Sequence, residues 1–331
     1  MNILSIIFLM VVTGVIIWLA RKPAGVSLER TRLIKAPAEK LYDTVRDFKT
    51  WPHWSAWLMH EPDTRLEFSP FPMLKAGWYT WDGKLVGAGK ITHTGLVPPQ
   101  RIEQRIEFTR PMRSKGEVFW TFTPVADGTQ VSWGMRSKLP FLLRWLEPMI
   151  AATVSKDYDI GLGRLAQFVG DHSDPVDISF DGAREMPQET YIARRFDGLL
   201  SDLPAAARAN FPLLTEAVAQ YGLEQTGMPL TIYHKFDKKK LLVVCDMAIP
   251  VKEVKVADGF NAGKLPAQKY FRTTLKGEYQ YLELAWHAAT GHARMRKLKM
   301  AKGAPMLERY ASDPLANSGV GVVTFIDLPV R

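Results

Sequence analysis

Cysteine is nearly absent: Cys245 is the only one in 331 residues. No intrachain disulfide can form, and no thiolate cluster can hold zinc. The seven histidines are scattered without an HExxH or comparable metal spacing. No glycine-rich phosphate loop and no adjacent nucleophile–base pair occurs, so no cofactor is implied and no reaction announces itself. What remains is 47% hydrophobic and 23% charged, the balance of globular protein, at a length that suits two domains better than one. Lys and Arg outnumber Asp and Glu by 43 to 34, a formal charge of +9, which favours an anionic partner and fits a membrane surface as readily as nucleic acid.

One long uncharged run is present. Ile3 to Ala20 reads ILSIIFLMVVTGVIIWLA, which as a helix extends roughly 27 Å, just enough for a thin bilayer core. No Lys or Arg precedes it and no small-x-small cleavage pattern follows, so a transmembrane anchor over residues 1–22 is expected in preference to a cleaved signal. Arg21, Lys22, Arg30, Arg32 and Lys35 all follow the run. The positive-inside rule then places the remainder in the cytoplasm, behind a single pass of the inner (cytoplasmic) membrane.

Residues 25–170 read as a first domain. Val26–Ile34 alternates like a strand, Ala38–Phe48 has helical spacing, and strand-like runs follow at Gly77–Trp81, Val86–His93, Arg101–Phe108, Gly116–Thr123 and Thr129–Met135. Met149–Val169 closes the domain as a helix in which Val154, Tyr158, Leu162, Leu165 and Phe168 share a face. Gly161 and Gly163 inside it each cost about 1 kcal/mol against Ala, so that face should border a ligand space or pack very close to a strand. The order is α+β. Arg32-Leu33-Ile34-Lys35-Ala36-Pro37, Asp47-Phe48, Trp51-Pro52-His53-Trp54, Gly87-Ala88-Gly89 and Gly128-Thr129-Gln130-Val131-Ser132-Trp133 resemble the START-like SRPBCC (polyketide-cyclase) family. That resemblance implies a helix-grip fold. Eight of the ten tryptophans lie here, and Trp78, Trp120 and Trp133 are candidate walls of an apolar cavity, with plain core packing as the competing reading. His60-Glu61 are adjacent loop residues with little claim to one active site.

After a linker at 171–176, residues 177–331 repeat themselves. Tyr191–Gly198 matches Tyr270–Gly277, and Ile249-Pro250-Val251 matches Leu328-Pro329-Val330 at equal separation. Two β-α-β-β units about a pseudo-two-fold axis are expected, with a cleft between halves. The Tyr191–Gly198 strand, Ile232-Tyr233-His234, Gly277-Glu278-Tyr279, Ala285-Trp286, Glu308-Arg309-Tyr310 and Asp313-Pro314 resemble the GyrI-like family, which includes effector-binding domains of AraC- and MerR-type regulators. The resemblance implies a cleft for aromatic or cationic small molecules with a carboxylate in it, and the matching position is Glu308. Glu308 and Tyr310, two apart on a strand, share a face; Trp286, Tyr233 and Tyr279 complete the candidate ligand site. Glu283 is a candidate second carboxylate. Regulators of that family carry a helix-turn-helix, none is found here, and direct nucleic-acid binding is not expected.

The leading expectation is a membrane-anchored small-molecule-binding protein with a sensing or sequestering role, holding an apolar START-like cavity and a GyrI-like cleft. A hydrolase or cyclase-type enzyme acting on a small apolar substrate is the alternative, and a scaffold with filled cavities is the third reading.

Overall fold

The computed structural model describes residues 3–253, 259–312 and 318–331; Asp313-Pro314 lie outside the described residues. The chain divides into two compact units, Met1–Ser173 and Asp174–Arg331, and both are α+β with antiparallel sheets.

The first unit begins with α1 (Ile3–Ala20) and continues through β1 (Gly25–Ile34), α2 (Ala38–Arg46) and α3 (Trp51–Trp54). Six strands follow: β2 (Arg65–Phe68), β3 (Trp78–Asp82), β4 (Ala88–Val97), β5 (Arg101–Arg110), β6 (Ser114–Val125) and β7 (Gly128–Lys138). A 3₁₀ turn at Phe141–Leu146 leads into α4 (Glu147–Phe168). The sheet order is β1-β7-β6-β5-β4-β3-β2. Period-two alternation turns Val118, Trp120 and Phe122, and beside them Val131, Trp133 and Met135, towards one core, where α2 adds Leu41, Tyr42 and Val45 and α4 adds Leu162, Leu165 and Ala166. Asp171 fastens the end of α4 to the end of β1: its carboxylate accepts from the Lys35 N–H (2.8 Å) and from the Ser173 hydroxyl (2.7 Å).

The helix at Ile3–Ala20 forms as expected and its apolar side chains are mostly exposed. Among the described residues, however, no helix is long and apolar enough to cross a membrane. Eighteen residues give about 27 Å, short of a hydrocarbon core of about 30 Å. The transmembrane span expected from the sequence is not supported by the structure.

The second unit contains β8 (Asp177–Met186), β9 (Glu189–Leu199), α5 (Leu203–Gln220), β10 (Leu230–Asp237) and β11 (Leu242–Pro250). Then come β12 (Asn261–Leu265), β13 (Gln268–Lys276), α6 (Leu282–Met295), β14 (Met306–Tyr310) and β15 (Val323–Pro329). The sheet runs β12-β9-β11-β10-β14-β15-β13-β8, so the two halves meet at the β10–β14 pair. This corrects the expected repeat. Each half is β-β-α-β-β, and the first strand of each pairs in the other half, β8 with β13 and β12 with β9.

Both helices lie on one face of this sheet. Leu214 and Ala217 of α5 pack on Ile192, Met247 and Ile249. His292 of α6 stacks on Phe180 at 3.8 Å and accepts from Arg296 Nε at 2.8 Å; burial, aided by that guanidinium, pushes its pKa down to about 4. On the opposite face, Asp327 accepts both arms of Arg272 (2.7 and 2.7 Å) and Arg309 Nε (3.2 Å), and Arg309 continues to Glu189.

Candidate functional site

The helices α5 and α6 pack chiefly over the outer strands, α5 on β9 and β11, α6 on β13, β15 and β8. Side chains of β10 and β14 on that face are left between them. Antiparallel register sets Thr231 opposite Glu308, and pleat alternation adds Tyr233 and Tyr310 to the same face.

Glu308 is 4% exposed, yet three neutral donors reach it. Trp286 Nε1 donates to Oε2 at 2.7 Å and the Tyr233 hydroxyl to the same oxygen at 3.2 Å, while the Tyr310 hydroxyl donates to Oε1 at 2.7 Å. The Thr231 and Tyr310 hydroxyls are 2.8 Å apart. With Glu308 ionised, Tyr310 donates to the carboxylate and Thr231 donates to Tyr310. Rings enclose the group edge-on: Tyr233 against Trp286 at 5.4 Å, and Tyr310 against Tyr279 at 5.6 Å and Phe211 at 5.3 Å. Thr324, cross-strand from Tyr310, keeps a buried hydroxyl without a hydrogen-bond partner among the described residues, as does Thr273 one strand further out.

The electrostatics follow from burial. Loss of solvent raises the Glu308 pKa, and the three donors only partly oppose it. Burial and then the Glu308 charge raise both phenols well above their usual value, so they remain donors. Among the described residues no cationic side chain is paired with Glu308. A buried carboxylate facing aromatic rings, with no cation of its own, is suited to receive one from outside through charge and ring quadrupoles. Cys245, cross-strand from Tyr233, is buried, and burial pushes its thiol up to about 12, away from the reactive thiolate.

Of the residues singled out from sequence, the structure brings Glu308, Tyr310, Trp286 and Tyr233 together, and Tyr279 touches Tyr310. Phe211 is the member that sequence reasoning missed as a site residue; it was legible only as part of the apolar stripe of α5. Glu283 is exposed.

The tryptophans of the first unit are placed differently. Trp78 is a correction: Tyr79 and Trp81 of β3 face the core, so Trp78 takes the outer face, where Lys90 Nζ lies 4.5 Å from its ring. Trp120 and Trp133 are buried and stack at 4.2 Å, and Trp133 stacks on Tyr158 of α4 at 3.7 Å. A Cβ on Gly161 would come within 2.7 Å of the Trp133 ring, so the glycine admits a packed indole. Trp120 Nε1 donates to Gln104 (3.2 Å), Gln104 reaches His93 Nδ1 (3.5 Å), and His93 Nε2 meets the Arg46 carbonyl (2.9 Å). The carbonyl can only accept, which fixes the proton on Nε2; burial lowers the His93 pKa to about 4. These polar groups serve the core. Glu61 is structural as well: its carboxylate accepts the N–H groups of Lys84, Leu85 and Val86. Burial opposes ionisation there, but those bonds prevail and its pKa is lowered.

Residues 25–170 match the family model described as polyketide cyclase / dehydrase and lipid transport. That match covers less than half of the chain. Among solved structures, CalU16 from Micromonospora echinospora is similar at 13% identity over 44% of this chain and 76% of its own, with a TM-score of 0.32. The EcmrR C-terminal domain is similar at 19% identity over 47% of this chain and 98% of its own, TM-score 0.40. SAV2435, solved bound to tetraphenylphosphonium, is similar at 11% identity over 46% of this chain and 94% of its own, TM-score 0.36. None of the curated proteins matches.

Proposed function

We propose that the chain is a membrane-tethered small-molecule-binding protein whose second unit captures an apolar, aromatic cation in the cleft over β10 and β14. Glu308 supplies the charge, and Trp286, Tyr233, Tyr310, Tyr279 and Phe211 supply the aromatic surface. The observation that carries this reading is a buried carboxylate held by three neutral donors with no paired cation among the described residues. The first unit, its centre occupied by the Trp120–Trp133–Tyr158 stack, is read as a carrier rather than the ligand site. The exposed apolar helix α1 tethers the protein to the inner membrane with both units cytoplasmic, and the role is sensing or sequestration of the ligand.

Titration calorimetry on the full chain tests the site. Tetraphenylphosphonium is the charged probe and triphenylphosphine oxide a neutral one of related outline. Glu308→Gln should weaken the cation by about 1.5–3 kcal/mol, roughly ten- to hundredfold, and the neutral probe much less. Trp286→Ala should weaken both, since it removes apolar area. Equal losses for the two probes in Glu308→Gln would reject charge recognition.

A further inference from the structure

The turn and first residues of α4, Phe141–Met149, carry apolar residues on two faces. Leu143, Leu146 and Ile150 are half-buried, and Ile150 and Val154 pack against the core. Leu142, Trp145 and Met149 form the other face at helical i, i+3, i+7 spacing and are 71%, 53% and 60% exposed, with Phe141 beside them. A core-facing helix normally turns charged residues outward, so this outward apolar ridge calls for a partner.

Its position in the fold indicates which one. The chain leaving α1 and the chain entering this turn run side by side: Gly25 pairs with Lys138, and the Leu139 N–H donates to the Ala24 carbonyl at 3.0 Å. The turn also packs beside α1 itself. Two exposed apolar elements, far apart in sequence, are thus fastened together at one edge of the first unit. The charges around them are mostly of one sign. Arg21 and Lys138 are exposed, Lys22 Nζ lies 5.0 Å from the Trp18 ring and the Arg144 guanidinium 5.2 Å from the Phe141 ring; Glu147 is the one acidic residue from Lys138 to Met149. Aromatic rings with cations over them, next to aliphatic side chains, match the water–hydrocarbon boundary of an anionic bilayer.

We infer that Phe141–Met149 is a second membrane contact, an interfacial patch that lays the first unit against the same anionic bilayer that takes α1. The inference rests on the reading of α1 as a tether. With α1, it provides the two attachment signals that stable anchoring by modest apolar elements requires, and it addresses the shortness of α1 by adding buried apolar area outside the helix.

Site-directed labelling on the full chain separates the two readings. Leu142→Cys and, in a second sample, Val11→Cys are each coupled to an environment-sensitive fluorophore in a Cys245→Ser background. Vesicles of phosphatidylcholine with phosphatidylglycerol carry bromine either near the carbonyl end or near the methyl end of the acyl chain. The expected result is a blue shift for both labels, with position 142 quenched mainly by the shallow bromine and position 11 by the deep one. In vesicles of phosphatidylcholine alone, the response at 142 should diminish. A quenched label at 11 with an unshifted label at 142 overturns this inference alone and assigns the ridge to a protein partner. No response at either position overturns the tether as well, whereas quenching at 142 alone keeps the patch and rejects the tether. An equal response at 142 without phosphatidylglycerol rejects the electrostatic part.

Discussion

Glu308 is the residue at which folding and binding oppose each other. Its raised pKa means that the native state holds the proton more tightly than the unfolded chain. Its contribution to stability is therefore fully present below the ordinary glutamate value, about 4.3, and is lost as pH rises through the higher folded value. His93 and His292, held down to about 4, act in the other direction: they remove stability as pH falls from about 6.5 towards 4. They do so equally with or without Glu308. The difference in Tm between wild type and Glu308→Gln thus isolates the carboxylate. We expect wild type to lose ground to the variant as pH rises above about 4, and tetraphenylphosphonium to close the gap by supplying the missing cation. A gap independent of pH would show that the glutamate is not the titrating group. Much of this site was legible in the sequence, because the GyrI-like resemblance pointed to Glu308 and residues two apart on a strand, such as Glu308 and Tyr310, share a face; that the strand of Tyr233 lies beside theirs came only with the β10–β14 pairing. Trp78 was not, since aromatics at 78, 79 and 81 leave the facing of the strand undecided until Tyr79 and Trp81 enter the core.

Elements of the second unit are joined by charge as much as by apolar contact. Asp327 of β15 sits cross-strand from Arg272 of β13 and Leu307 of β14 and binds Arg272 and Arg309 at once. Both guanidiniums are more than nine-tenths buried. Asp327→Asn keeps the shape but takes the counter-charge from Arg272 and leaves Arg309 with Glu189 alone, and breaking a buried pair such as Arg272–Asp327 costs about 3–5 kcal/mol. Urea denaturation should report a loss of that size; a change under about 1 kcal/mol, the value of an exposed pair, would mean that solvent reaches the network. The aspartate stands out in the sequence as the one charge in an apolar run, but its partners are set by strand pairing. The same limit hid β2, β8 and β12. The first is four residues long; of the two edge strands, Asn261–Leu265 lacks an apolar alternation, and in Asp177–Met186 it is confined to Ile178 and Phe180. They become strands because β13 and β9 offer unpaired backbone.

At the scale of the whole molecule, the duplication was visible in matched segments of equal separation, whereas the exchange of first strands between halves was not, because it depends on pairing across the repeat. Each unit also closes a core of its own, Trp51, Trp120 and Leu165 among others in the first, Leu214, Met247 and Ile249 in the second. Independent cores are expected to melt as separate cooperative transitions. A ligand that binds only the native second unit then adds RT ln(1 + [L]/Kd) to that unit alone, about 2.7 kcal/mol at a hundredfold excess over Kd. For a unit of this size that raises Tm by several degrees, on the order of 3 °C per kcal/mol. Scanning calorimetry of the full chain with and without tetraphenylphosphonium should show one transition moving and the other fixed, and at the same ligand concentration a ten- to hundredfold weaker Glu308→Gln should cut the stabilisation to about 1.4–0.4 kcal/mol. Displacement of both transitions together would demonstrate that the units are thermodynamically coupled, and displacement of the first alone would return the ligand site to the core of the first unit that the stacked tryptophans occupy.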